Sequence, residues 1–359
     1  MTRYKALDAM RGLTIALMIL VNTPGSWSHV YAPLLHADWH GCTPTDVIFP
    51  FFMFIIGSAM FFSFKKTNSA ASASQVLRLV KRGAIIFAIG LALNIYPFTT
   101  NIENLRILGV LQRIGIAYIL ASICVLFLNR RGVLTLSVII LVAYWLLLLS
   151  VGAENAYTLE HNLVRAVDIA VLGESHLWQG KGLAFDPEGL ISTLPAVVSV
   201  LFGFEVTRLL TSTSCQWASI KRLLVIGVVA VVIGQLTSMV MPINKSLWTS
   251  SFVIYTSGIA CIVLAFFVWL CDIVKPERLV NPLIVYGSNP LFIYVLSAVW
   301  VLSYSLINIG ELNLGDWMYQ QLALVMSAKL ASFTFALLHV IGFWVISNML
   351  YKRKIFIKI

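Results

Sequence analysis

The chain has 359 residues, of which 59% are hydrophobic and only 11% are charged. Soluble globular domains carry about 25% charged residues, so this composition excludes a soluble protein. The net charge of +10 would suit a nucleic-acid-binding protein, but the positive-inside rule for membrane proteins explains it more simply. Because backbone amides in lipid must be satisfied internally, we predict an all-α polytopic membrane protein.

Ten apolar segments predict about ten transmembrane helices in a single domain of residues 1–359. They lie at residues 7–27, 47–64, 84–97, 107–128, 133–151, 190–210, 223–240, 253–271, 282–307 and 322–350. The connections between these segments alternate between the two sides of the membrane. Those on one side, which include the termini and the predicted linker 65–82, hold 19 of the 25 basic residues. We therefore predict that both termini are cytoplasmic and that loops 28–46, 152–189 and 241–251 face outward.

The first outer loop brings titratable residues to the start of the second predicted helix. His36, Asp38, His40 and Asp46 precede the uncharged run 47–64. Ionisable groups at a membrane boundary are candidates for function, and a histidine can exchange a proton near neutral pH or attack a carbonyl carbon. The alternative is a solvated loop with incidental histidines. His36 and His40 are four residues apart, but a proline and a glycine bracket them and no HExxH glutamate is present, so we predict no metal site.

Two predicted helices carry polar interruptions. Gln112 and Arg113 lie within the fourth, where an arginine needs a counter-charge or a wet cavity; a ligand phosphate or a neighbouring aspartate would serve. Ser288-Asn289-Pro290 interrupts the ninth. Because proline kinks a helix and frees a carbonyl group, this break either lines a ligand cavity or only bends the helix.

The other outer segments carry polar motifs with two interpretations each. Segment 152–189 is long and mostly polar, as binding loops and lids often are. The alternative is a structural role, because DPE at 186–188 has the residue types of a helix start, with an aspartate cap, a proline in the first turn and a following acid. Asn244, Lys245 and Trp248 could hold a sugar by hydrogen bonds and stacking. The alternative is an interfacial tryptophan anchor with a lysine that extends to the membrane surface.

Several motifs occur in one order along nearly the whole chain: LDAMRGLTIALMILVN, HADWHG, TPTDVIFPFFMFIIG, RILGVLQRIGIAY, FDPEGLISTLPAVV, PINKSLWTSSFV, YGSNPLFIY and YKRKIFIKI. In this order they resemble the transmembrane acyltransferase family typified by heparan-α-glucosaminide N-acetyltransferase, and in particular its smaller bacterial relatives. That family moves an acetyl group from cytosolic acetyl-CoA to the amine of a glucosamine on the far side of the membrane.

The resemblance implies three catalytic residues. The active histidine of the family falls on His36, and its aspartate falls on Asp46 at the same spacing of ten. The asparagine that follows the first core helix falls on Asn22. His36 would act as a general base or become acetylated, Asp46 would orient its ring, and Asn22 would stabilise the developing oxyanion.

The resemblance also implies two binding surfaces. Basic and polar residues would contact the acetyl-CoA donor: Arg11, Lys81, Arg82, Gln112, Arg113, Ser288 and Asn289. Outer residues would contact the amino sugar: Trp39, Asp186, Glu188, Asn244, Lys245 and Trp248.

Two departures from the animal enzyme bear on the acceptor and on catalysis. Leu296-Ser297 stands where that enzyme has Gly-His, which removes a second candidate histidine. Its large outer domain has no counterpart here, so we expect a free amino sugar or a short oligosaccharide as the acceptor. We expect a homodimer in the bacterial inner membrane. The alternatives are an amino-sugar transporter, which would also have broken helices and buried polar groups, and an acyltransferase with another donor or acceptor.

Overall fold

The computed structural model describes residues 4–66, 72–98, 101–213 and 215–357. It is almost entirely α-helical, which confirms the predicted fold class. The helices are α1 Lys5–Asn22, α2 Ile48–Lys66, α3 Ala73–Ile95, α4 Val110–Phe127, α5 Arg130–Leu149, α6 Leu163–Leu172, α7 Thr193–Leu210, α8 Gln216–Thr237, α9 Ser250–Val268, α10 Glu277–Tyr286, α11 Pro290–Leu302, α12 Leu314–Ala323 and α13 Ala328–Lys352. A π-helical turn, Trp269–Val274, extends α9, and the strands β1 Asn308–Ile309 and β2 Leu312–Asn313 form a short antiparallel hairpin.

Seven helices within the described ranges are long and apolar enough to cross a membrane, and the bent pair α10–α11 could form an eighth span. The helices α1 and α3 are also at least 18 residues long. Each carries three charged residues in its first half, however: Lys5, Asp8 and Arg11 in α1, and Arg78, Lys81 and Arg82 in α3. The protein is therefore a polytopic α-helical membrane protein, but the predicted count of ten spans is not confirmed.

The helices α2 and α7 form the centre of the bundle. Within the protein, 78% of the α7 span is buried, against 17% of the α5 span. The two central helices touch where Gly57 faces the backbone of Val200 and Gly203 faces that of Phe54. Small residues at such a contact let helix backbones approach closely, which is the usual basis of helix packing in membranes. The helices α5 and α8 lie outside this pair, and their outer faces are apolar and exposed.

The connections that carry the predicted outer residues meet at one end of the bundle, here called the site end. They follow α1, α3, α5 and α8 and precede α2, α4, α7 and α9. Backbone hydrogen bonds join them: Gly41 N–H donates to Ile243 O at 2.7 Å, and Ile107 N–H donates to His176 O at 3.2 Å. Loops that are distant in sequence are thereby held as one layer.

Some predicted boundaries differ from the structure. The linker 65–82 is shorter, because α2 extends to Lys66 and α3 begins at Ala73; residues 67–71 lie outside the described residues. The first turns of α3 are basic, which hid this part of the helix from a search for apolar segments. The long outer segment 152–189 contains α6, and a break between α10 and α11 bends the ninth predicted helix by 68°.

The α2–α7 contact generates a stability prediction. A Cβ added at Gly57 would overlap the carbonyl oxygen of Val200, whereas one added at Gly342 would meet nothing within 4 Å. Gly57→Ala should therefore destabilise the protein by about 1–3 kcal/mol, because a helix backbone must shift. Gly342→Ala is the matched control and should leave stability equal or higher. Thermal unfolding of both variants in detergent checks this, and equal melting temperatures would contradict it.

Candidate active site

His36 and Asp46 form a hydrogen-bonded pair in the loop before α2. The Nδ1 atom of His36 lies 2.7 Å from Asp46 Oδ1. The other carboxylate oxygen accepts hydrogen bonds from the backbone N–H groups of Ala37 and Thr43 and from the Thr43 hydroxyl, each at 3.0 Å. Asp46 is 1% exposed, whereas 46% of the His36 side chain is exposed. A fixed, buried carboxylate therefore holds an accessible imidazole.

The charge of Asp46 determines the tautomer of His36. Burial alone would raise the pKa of Asp46, but the hydrogen bond to His36, the charge of Lys245 and the N–H groups of Thr43 and Ala37 hold it well below its usual range. An ionised carboxylate only accepts hydrogen bonds, so Nδ1 of His36 must be the donor. In the neutral ring, Nε2 then carries the free lone pair and is the atom available for base or nucleophile chemistry.

Lys245 reaches this pair from the loop between α8 and α9. Its Nζ atom lies 3.0 Å from His36 Nδ1, 3.3 Å from His36 Nε2 and 3.6 Å from Asp46 Oδ1. The two ring nitrogens point in different directions within the plane, so an amine this close to both lies over the face of the ring. It leaves the in-plane lone pair of Nε2 open. Burial lowers the pKa of Lys245, and Asp46 and Glu188 oppose that effect.

These residues line a cavity of about 360 Å³ at the site end, here called the site cavity. Its polar and aromatic walls come from the four connections of the site end and from the last residue of α1. They include Asn22, His36, Trp39, Asp46, Arg106, Trp178, Lys181, Glu188 and Lys245. Asn22 is the last residue of α1 and is exposed. The structure thus brings the three predicted catalytic residues together with Trp39, Glu188 and Lys245.

Arg106 clamps two acids of the FDPEG motif. Its Nε and Nη2 atoms donate to the two oxygens of Asp186, each at 2.8 Å, and Nη2 also donates to Glu188 Oε2 at 2.7 Å. Asp186 is fully buried and Glu188 is 7% exposed, and bidentate pairs of this kind are strong and geometrically specific. The helix-start interpretation does not account for this ion pair.

Sequence reasoning did not identify Arg106, Trp178 and Lys181 as cavity residues. Arg106 begins the RILGVLQRIGIAY motif and is one of only six basic residues assigned to the predicted outer side. Because two buried acids near the same membrane face require a cationic partner, this small set of basic residues was the place to look for one. Lys181 and Trp178 lie in the irregular part of segment 152–189 and carried no comparable pattern.

Three predicted sugar-binding residues do not line the site cavity: Asp186, which Arg106 holds, Asn244 and Trp248. Asn244 is fully buried; its amide donates to Trp39 O at 2.9 Å and its oxygen accepts from Leu247 N–H at 2.8 Å. It therefore supports the loops that carry Trp39 and Lys245. Trp248 is 1% exposed, and its ring lies 4.9 Å from the guanidinium carbon of Arg113. Its surroundings are those of a core residue.

The predicted donor-binding residues separate into two places. Arg11 and Arg82 line a second cavity of about 360 Å³, here called the Arg11 cavity, together with Pro290 at the start of α11. Lys81 is exposed and lines neither cavity. Ser288 and Asn289 form the break beside this cavity. The Asn289 amide donates to Ile355 O at 3.0 Å, and Ile357 N–H donates to Asn289 Oδ1 at 2.8 Å, which packs the C-terminal segment against the break.

Gln112 and Arg113 do not line the Arg11 cavity. Both are 1% exposed, in the first turn of α4 at the site end. The Gln112 amide donates to Ile107 O at 3.1 Å. Ile114, the residue after Arg113, does line that cavity, so both side chains lie beside it and not in its wall. Their contact with the donor stays a prediction.

The two cavities lie along the same helices. On α2, Phe49 lines the site cavity and Phe52 lines the Arg11 cavity; on α4, Val110 and Ile114 do the same. Three to four residues of helix correspond to about 4.5–6 Å, roughly one turn. One layer of side chains therefore separates the polar site cavity from the largely apolar Arg11 cavity.

The sequence was compared with known proteins. The family model described as heparan-alpha-glucosaminide N-acetyltransferase, catalytic, matches residues 3–175. The chain is 25% identical over 350 residues to proteins named heparan-alpha-glucosaminide N-acetyltransferase from Mus musculus and Homo sapiens. These alignments cover 82% of this chain and 53% and 52% of the mouse and human proteins, so the chain spans about half the length of the curated relatives it matches.

The environment of Asp46 generates a prediction about stability and pH. Asp46→Asn should lower the free energy of unfolding at pH 7 by about 1.5–3 kcal/mol, because charge-assisted hydrogen bonds are lost. The folded-state pKa of Asp46 is depressed, so its contribution is present above the unfolded-state pKa near 3.9 and is lost as the pH falls through the folded-state value. The difference between parent and variant should therefore shrink below about pH 4.

Asp38→Asn is the matched control for this measurement. Asp38 lies in the same loop and is exposed, so its substitution should change stability little. Melting temperatures of the three proteins at pH 7 and at a series of pH values below 4 check the expectation. An Asp46→Asn protein as stable as the Asp38→Asn protein at pH 7 would rule out the proposed role of the carboxylate in holding the loop.

Proposed function

We propose that the chain, whose residues 3–175 match the catalytic family model of heparan-alpha-glucosaminide N-acetyltransferase, belongs to that family and transfers an acetyl group from acetyl-CoA to the amine of a glucosamine-type sugar across the membrane. The observation that carries this proposal is the His36–Asp46 pair in the wall of the site cavity. An imidazole oriented by a buried carboxylate is the arrangement that acyl transfer uses to move protons or carry the acyl group.

The reaction follows from the atoms around His36. As a general base, Nε2 takes a proton from the acceptor amine as its nitrogen attacks the thioester carbonyl, and the carbon–sulfur bond breaks. The CoA thiolate then takes the proton back from the imidazolium. As a nucleophile, Nε2 attacks the thioester carbonyl itself, and the carbon–sulfur bond breaks to release the CoA thiolate. The amine then attacks the acetyl carbon, the bond to Nε2 breaks, and the amine proton passes to the thiolate through the freed ring. In both routes Asp46 stabilises the cationic ring, and the side-chain amide of Asn22 could donate to the oxyanion.

The Arg11 cavity fits a donor that enters from the opposite end. Its walls are mostly apolar, which suits an extended arm, while Arg11 and Arg82 supply charge for phosphates. Arg11 also donates to Asp8 Oδ1 at 3.2 Å, so Arg82, which is exposed, is the stronger candidate for a phosphate contact. Along α2 the two cavities extend from Met60 to Ile48, about 18 Å of helix. The excess of basic residues in the corresponding connections supports a cytoplasmic position for this end.

The site cavity fits an amino sugar. Trp39 and Trp178 offer aromatic faces for the ring, and the Glu188 carboxylate offers a hydrogen-bond acceptor to a hydroxyl or amino group of the sugar. The Trp39 indole donates to Tyr157 O at 2.7 Å, which fixes that ring. A volume of about 360 Å³ suits one or two sugar units rather than a long chain. We assign the site end to the outer face of a bacterial inner membrane.

The proposal predicts that His36→Ala abolishes acetyl transfer to glucosamine while acetyl-CoA still binds. Loss of a general base alone lowers the rate by about 10²–10⁴-fold, and loss of a nucleophile lowers it further. Turnover by the purified protein with radiolabelled acetyl-CoA and glucosamine measures the effect. Mass spectrometry after incubation with acetyl-CoA alone separates the two routes, because only the nucleophile route leaves an acetyl group on His36.

His40→Ala is the matched control, because this histidine lies four residues away but does not line the site cavity. It should retain most of the parent rate. If folded His36→Ala protein acetylates glucosamine as fast as the parent, the proposed chemistry is wrong. If the parent shows no turnover but moves labelled glucosamine into liposomes without acetyl-CoA, the protein is a transporter.

A further inference from the structure

Two buried charges hold the turn that leads from the FDPEG motif into α7. Arg113 Nη2 donates to Gly189 O at 3.3 Å and also to the Ser192 hydroxyl. Asp168, from α6, accepts a hydrogen bond from Leu190 N–H at 2.8 Å. The turn Gly189–Ser192 is thus anchored by an arginine of α4 and an aspartate of α6.

The Asp168 carboxylate packs directly against this turn. A Cβ added at Gly189 would overlap Asp168 Oδ2 and a methyl group of Val164. Gly189 has no positive φ angle, so lack of space rather than backbone conformation requires glycine here. Any movement of the Asp168 carboxylate must therefore move the turn.

Burying these two charged groups costs free energy that an uncharged turn would not require. Asp168 is fully buried and Arg113 is 1% exposed, and within the described chain Asp168 Oδ2 and Arg113 Nε and Nη1 have no hydrogen-bond partner. Burial raises the pKa of Asp168 to about 7, and Asp186 adds to the shift while Leu190 N–H and Arg113 oppose it. An asparagine could accept the same hydrogen bond from Leu190, but it would not supply the negative charge that acts on Arg113. Buried ionisable groups of this kind are candidates for a functional role.

The turn connects these charges to the site cavity. The residues immediately before it, Asp186 and Glu188, clamp Arg106, and Glu188 and Arg106 line the site cavity with His36. Glu188 is one residue from the carbonyl that Arg113 holds and two residues from the N–H that Asp168 holds. A shift of this turn would therefore displace Glu188 from the cavity wall.

We propose that Arg113 and Asp168 are positioning residues, which fix the Gly189–Ser192 turn and thereby hold Glu188 and Arg106 at the wall of the site cavity. The inference rests on the proposed acetyl transfer for its kinetic test only. The role differs from donor binding, because neither residue lines a cavity that a donor could enter. Asp168 and Arg113 act through Glu188 and do not touch the reacting atoms.

A double-mutant cycle tests this coupling. Asp168→Asn alone should lower kcat/KM for glucosamine roughly tenfold, and in a Glu188→Gln background it should lower it less than twofold further, because the residue it acts through is already impaired. Glu160→Gln, an exposed acid in the same outer segment, is the matched control and should have no effect in either background. Equal losses from Asp168→Asn in both backgrounds, or no loss in either, would overturn the proposal.

A second variant and a second measurement keep the test independent of folding and of turnover. Ser192→Ala removes only one contact of Arg113 and should show the same coupling to Glu188→Gln in weaker form. Hydrogen–deuterium exchange of residues 186–192 should become faster in Asp168→Asn and Ser192→Ala and stay unchanged in Glu160→Gln. Faster exchange in these two variants, together with a parent protein that fails to acetylate glucosamine, would retain the positioning role and reject the proposed function. Unchanged exchange would reject the positioning role itself.

Discussion

The buried carboxylate of Asp46 is the interaction on which the candidate site depends. One oxygen binds His36, and the other binds two backbone N–H groups and a hydroxyl of its own loop. A carboxylate at a membrane boundary is stable only with such compensation, so the loop must fold around it. The same charge sets the His36 tautomer and attracts Lys245 from a connection some 200 residues later. Loop folding and histidine chemistry therefore have one cause.

The ionisable groups around the site follow a general constraint of the membrane environment. Arg106 pairs with Asp186 and Glu188, Lys245 lies beside Asp46, and Arg113 is held by a carbonyl, a hydroxyl and the face of Trp248. Each of these side chains contacts residues from another part of the chain. The site end is consequently a cross-linked layer of loops above the bundle. The candidate catalytic groups on these loops gain from this arrangement the fixed geometry that helices would otherwise provide.

Parts of this account could be predicted from sequence because they are local. His36 and Asp46 are ten residues apart in one loop, so a local sequence motif can indicate that they pair. Apolar segments likewise indicate most of the helices. The Arg106–Glu188 pair spans 82 positions and leaves no periodic pattern. The start of α3 is basic, so apolarity alone placed it too late. The sequence predicted a counter-charge or a wet cavity for Arg113, whereas its side chain contacts Gly189 O, the Ser192 hydroxyl and the ring of Trp248. Those partners come from distant parts of the chain, so no local pattern could indicate them.

The central claim is that the donor reaches His36 from the opposite end, through the region between the two cavities. A density map of the protein with bound acetyl-CoA tests this most directly. The account predicts the phosphates near Arg11 and Arg82 and the thioester carbonyl about 3–3.5 Å from His36 Nε2, with the side-chain layer at Phe49 and Phe52 moved aside. Phosphates bound in the site cavity, or a thioester that remains in the Arg11 cavity, would contradict it.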